Sequence, residues 1–92
     1  QSVIVHSSVL GLRVDESLYF ANSRFLEESI ASAVTEHADI KHVVLLCSAI
    51  NDIDASALES LETINHRLLD SGVLFHLSEV KGPVMDRLKR SH

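Results

Sequence analysis

The chain has 92 residues, 46% of them hydrophobic and 23% charged, which leaves room for one domain with a modest core and excludes intrinsic disorder. Cys47 is the lone cysteine and no apolar run approaches about 18 residues, so an internal disulfide is ruled out, a reducing compartment fits, and neither a membrane span nor a signal peptide is predicted within these residues. Thirteen acidic against eight basic residues give a formal charge of −5, which argues against general affinity for nucleic acid or anionic lipid.

Val3-Ile4-Val5 is a short β-branched run and Val9 to Val14 a second extended candidate, with Leu10, Leu12 and Val14 on one face under period-2 alternation. His6-Ser7-Ser8 fits the turn between them. After Asp15-Glu16-Ser17 the apolar pattern resumes at Leu18-Tyr19-Phe20, and Asn22 is the predicted N-cap of a helix, with Ala21 and Leu26 as a weak staple. Phe25, Leu26, Ile30, Ala33, Val34 and His37 form the helix's expected inner face.

Val43 to Cys47 is an unbroken apolar run of strand length, with the continuity of a strand covered on both faces. A polar loop, Ser48 to Asp54, leads into a periodic helix over 57–70, with Ala57, Leu58, Leu61, Ile64, Leu68 and Leu69 inward. Ser71-Gly72 ends that helix, the glycine being free to take a left-handed cap. Val73 to Leu77 is the next strand, and Gly82-Pro83 opens a last short helix anchored by Val84, Met85 and Leu88. From Lys81 to His92, four basic residues (Lys81, Arg87, Lys89, Arg90) accompany one acid, Asp86, as suits a helix C-terminus or a partner-facing patch. The alternation of strands and helices predicts a single α/β domain over 1–92, a mixed sheet built with right-handed βαβ crossovers. The last helix is short, so a further terminal element is expected.

Catalytic chemistry has little to stand on. Histidines at 6, 37, 42, 66, 76 and 92 are scattered without HExxH spacing, and there is no GxGxxG, P-loop or G-x-S-x-G pattern. No catalytic residue, metal or cofactor is therefore predicted. Asn51-Asp52-Ile53-Asp54-Ala55-Ser56-Ala57 stands out, because it runs from the C-terminal end of a strand into a helix, where open α/β folds place ligands. Free N–H groups there suit an anion, and Asp54 or Ser56 can cap them, Ser56 with Glu59 as reciprocal partner. Capping alone explains the segment; the sharper reading makes Ser56 a phosphoacceptor. Tyr19 and Phe20 fit core packing or a contact with a partner. With parallel strands, segments 18–22, 48–56 and 79–83 converge on one rim, carrying Tyr19, Phe20, Asn22, Asn51, Asp52, Asp54 and Lys81 as the candidate interaction residues.

These segments resemble a STAS domain, most closely the C-terminal cytosolic STAS domain of bacterial SulP-type sulfate and anion permeases. The resemblance rests on Val9 to Val14, on Leu18-Tyr19-Phe20-Ala21-Asn22, on Val43 to Leu58, and on Phe75 to Val84 with its Gly-Pro helix start. It implies a SpoIIAA-like fold and a noncatalytic regulatory or interaction domain on the cytoplasmic side of a membrane. The implied partners are the transmembrane portion of a parent transporter and cytosolic regulatory proteins, with a small anion or nucleotide as a further ligand class. Anti-sigma-factor antagonists share the fold, and Ser56 matches the second serine of their Asp-Ser-Ser-Gly phosphorylation motif. This chain reads Asp54-Ala55-Ser56-Ala57, replacing the first serine and the glycine, so a free-standing phosphoswitch is the alternative reading. The family also implies a further short strand and helix after Leu88.

Overall fold

The computed structural model describes residues 2–90, with the side chains of Ser2, Phe20 and Ala21 outside the description. Two strands open the fold, β1 (Ser2–His6) and β2 (Val9–Arg13), followed by α1 (Phe20–Glu36), β3 (His42–Leu46), α2 (Ala55–Asp70), β4 (Leu74–Ser78) and α3 (Gly82–Arg90). The sheet has the order β1-β2-β3-β4. β1 and β2 form an antiparallel hairpin whose turn places Ser7 at φ 56°, whereas β2, β3 and β4 run parallel. The α/β expectation of a mixed sheet with helical crossovers holds.

Register explains where the core lies. Leu10 pairs with Val43 and Leu12 with Leu45, and Val43 and Leu45 pair with Phe75 and Leu77. Period-2 alternation therefore sends these six side chains to one face. There they join Leu26 and Ile30 of α1, Leu61, Ile64 and Leu68 of α2, and Val84 of α3. The opposite face is more open: Ile4 is 65% and Leu74 49% exposed, and Val44 and Leu46 are only half-buried. The run Val43 to Cys47 is thus covered on one face, not two. A parallel central strand keeps its apolar outer residues because its neighbours on both sides shield them in part.

Two residues placed inward by helical periodicity lie outward instead. Phe25 is 59% and Leu69 50% exposed, because α1 and α2 bury narrower stripes than their apolar content allows. His37 is exposed as well. The α1 cap also differs from expectation. Tyr19, extended at φ −129°, occupies the N-cap position, and Asn22 sits three residues inside, its Oδ1 accepting from the Tyr19 N–H at 2.7 Å. The expected Ala21–Leu26 staple and the Phe20 side chain fall outside the description.

The end of α2 follows the glycine signal closely. Gly72, at φ +76°, donates to the Leu69 carbonyl at 2.9 Å, and Val73 donates to the Leu68 carbonyl at 2.8 Å. This is a Schellman closure, with buried Leu68 and Val73 supplying its apolar contact. In α3, Gly82 precedes Pro83 as the first residue, and Met85 N–H closes the first turn on the Lys81 carbonyl at 2.8 Å. Proline's missing donor falls in the turn where no partner exists for it. Met85 is 37% exposed, so Val84 and half-buried Leu88 carry the contact of α3 with the core.

Candidate interaction rim

The parallel strands end on one side of the sheet, and the loops leaving them are knitted together. Ser17 Oγ accepts from the backbone N–H of Asn51 at 3.2 Å and of Asp52 at 3.1 Å. Leu18 N–H donates to the Asp52 carbonyl at 3.0 Å, and Asp54 N–H returns to the Leu18 carbonyl at 3.2 Å, forming a short parallel bridge between Leu18 and Ile53. Beneath it Val14, Leu18, Ile50 and Ile53 are at most 2% exposed. The loops therefore stand on an apolar floor that holds their backbone in place.

Above that floor lie the polar groups. Tyr19 Oη donates to Asp52 Oδ2 at 3.2 Å, and Lys81 Nζ donates to Asn51 Oδ1. Asn22 Nδ2 donates to the Ser17 carbonyl at 2.6 Å, so Asn22 ties the start of α1 to the loop before it. The structure thus brings together Tyr19, Asn22, Asn51, Asp52, Asp54 and Lys81. Ser17 had no signal of its own, because a lone serine after two acids is indistinguishable from any loop serine.

Asp54 is the N-cap of α2: its Oδ1 accepts from Ala57 N–H at 2.8 Å. Ser56 is therefore the second helical residue and does not cap. It is half-buried and opens onto a polar groove of about 500 Å³ between α1 and α2, whose walls include Arg24, Glu27, Glu28, Glu59 and Arg67. Arg67 and Glu27 approach to 3.8 Å across it. At the groove floor Ser60 Oγ donates to Ser23 Oγ at 3.2 Å, both residues being buried.

Cys47 is buried, its Sγ–H directed at the Leu45 carbonyl, and burial pushes its thiol up to about 11, far from a nucleophilic thiolate. Among the described residues no group of three or more His, Cys, Asp or Glu side chains is placed to hold a metal ion, and no helix is long and apolar enough to cross a membrane.

Comparison with known proteins gives a consistent result. The STAS domain model matches residues 2–92. Sulfate transporter 3.2 of Arabidopsis thaliana is 31% identical over 97 residues, covering 96% of this chain and 15% of the transporter. Among solved structures, the murine solute carrier 26 family member A9 anion transporter, in its inward-facing state, superposes with a TM-score of 0.82 at 20% identity, over 92% of this chain and 14% of the transporter. A Moorella thermoacetica RsbS variant superposes with a TM-score of 0.82 at 19% identity, over 97% of this chain and 74% of its own. At those identities the two structures speak to fold alone. The chain spans about 15% of the length of the curated transporters it matches.

Proposed function

Because the chain belongs to the STAS domain family, we propose that it is the noncatalytic regulatory and interaction domain of a SulP-type sulfate or related anion transporter. One observation carries this reading: sulfate transporters match it over nearly its whole length while extending far beyond it. In this reading the domain lies on the cytoplasmic side of the membrane. Its rim of Tyr19, Asn22, Asn51, Asp52, Asp54 and Lys81 faces the transmembrane portion or a cytosolic regulator. A partly exposed tyrosine on a stiff backbone suits such a role, since little entropy is lost when a partner covers it. The experiment is transport by the intact parent carrying Tyr19→Ala or Asp52→Lys, with unfolding of the isolated domain as control. Altered transport at unchanged stability supports the reading, and unchanged transport removes the rim from it.

A second reading rests on Ser56, which falls at the second serine of the antagonists' phosphorylation motif, in a fold that RsbS shares. In it the protein is a free-standing antagonist with Ser56 as phosphoacceptor. The helix N-terminus would favour phosphate there. Glu27, Glu28 and Glu59 around the same groove outnumber Arg24 and Arg67, so the added charge would need a basic partner. Incubation with ATP and a serine kinase that phosphorylates anti-sigma-factor antagonists distinguishes the readings: stoichiometric phosphate on Ser56, absent in Ser56→Ala, supports the second.

A further inference from the structure

We propose that His42 and His76 form a two-histidine chelate for a divalent transition-metal ion on the open face of the sheet. The two residues lie on neighbouring parallel strands, where the register pairs His42 with Leu74 and Val44 with His76. They therefore project from the same face, opposite the core, two residues apart along the strands. The rings meet there: His42 Nδ1 and His76 Nε2 are 3.1 Å apart, and the ring centroids 5.3 Å apart at an interplanar angle of 30°. His42 is half-buried and His76 exposed, so an ion reaches both nitrogens from solvent.

The separation of the two nitrogens matches that of a chelate, and a rotation of the two rings out of their head-on hydrogen bond supplies the direction. Two imidazole nitrogens, each at about 2.0–2.1 Å from one ion and separated by 90–109°, lie about 2.9–3.3 Å apart. Without metal, one of the facing nitrogens carries a proton that the other accepts. Binding requires that donor ring to move its proton to its outer nitrogen, Nε2 in His42 or Nδ1 in His76. That tautomer change releases no net proton, and a rotation of both rings that turns their facing lone pairs from one another to a common point makes both nitrogens ligands. Water fills the remaining positions, as only two protein ligands are present. Imidazole donors with open positions suit Cu²⁺ above Ni²⁺ and Zn²⁺. The β-ladder holds the strands, so little backbone order is lost on binding.

The test is calorimetric titration of the 92-residue chain with Cu²⁺ and, separately, Zn²⁺. One saturable equivalent is expected, tighter for Cu²⁺. His42→Ala and His76→Ala should each weaken it by at least about tenfold, since losing a ligand costs no less than disturbing an outer-shell partner. The triple variant His6→Ala/His37→Ala/His66→Ala should retain it. A measurement on the unaltered protein guards against misfolded variants: substoichiometric Cu²⁺ should broaden the imidazole NMR signals of His42 and His76 before those of His37 and His66. Absence of a saturable equivalent, its survival in a folded His42→Ala/His76→Ala variant, or broadening that begins at the other histidines would overturn the assignment.

Discussion

The Tyr19 hydroxyl donates to the Asp52 carboxylate across 3.2 Å, joining the first residue of one helix cap to the loop that leads into another. Beside it, Ser17 Oγ holds the N–H groups of Asn51 and Asp52. One serine thus supplies a side-chain acceptor to two consecutive loop amides. Ser17→Ala should destabilise the domain by about 1 kcal/mol, while Tyr19→Phe, which removes one exposed hydrogen bond, should cost less than about 0.5 kcal/mol. Urea unfolding of the two variants checks the order.

The helix α2 anchors the core face through Leu61, 7% exposed, together with Ile64 and Leu68. Leu61→Ala removes buried methyl groups and leaves a cavity, at a cost of about 2–4 kcal/mol. Leu69→Ala, on the exposed side of the same helix, should change stability by less than about 0.5 kcal/mol. Equal effects in chemical denaturation would overturn the assigned face.

At the start of α2 the cap is Asp54. Asp54→Ala should therefore cost about 1 kcal/mol, and Ser56→Ala less than about 0.5 kcal/mol, since Ser56 lies inside the helix. Ser56→Asp places a negative group in the first turn, a gain of about 0.3–1 kcal/mol. Asp54 and the groove carboxylates oppose it. Near-neutral stability is the expected sum, read from the same denaturation series.

Cys47 predicts a dependence on alkaline pH. Its folded value is raised to about 11 from 9.0 by burial. Below the unfolded value both states hold the proton and stability is unaffected. As pH rises from 9.0 towards about 11, the unfolded chain loses the proton first, so stability falls. Between about pH 8 and about pH 10.5 the native protein should lose more stability than Cys47→Ala. Alkylation by iodoacetamide should likewise be slow in the folded protein and rapid in urea.

Much of the fold is written in local patterns. Leu10, Leu12 and Val14 alternate because one face of β2 is buried, and Ser71-Gly72 stops α2 because only a residue tolerant of positive φ closes it so tightly. Other features depend on tertiary context. Asn22 has the chemistry of a cap, yet it reaches back to Tyr19 and Ser17 from inside the helix. Phe25 and Leu69 are apolar and correctly spaced for burial, but among the described residues no element packs over them. The convergence of the three rim segments follows from parallel strands alone. The hydrogen bonds that lock them do not, because Ser17 and Asn51 lie 34 residues apart.

Whether this rim faces a transporter's membrane portion or its regulator is decided by site-directed photocrosslinking in the intact parent. Photoreactive groups at Tyr19, Asp52 and Lys81 sample the rim, and groups at Ser7, Asp39 and Ser71 sample the opposite end of the sheet. Adducts to the transporter's cytoplasmic loops or to a bound regulator are expected from the first three positions. Adducts confined to Ser7, Asp39 and Ser71 would contradict that placement.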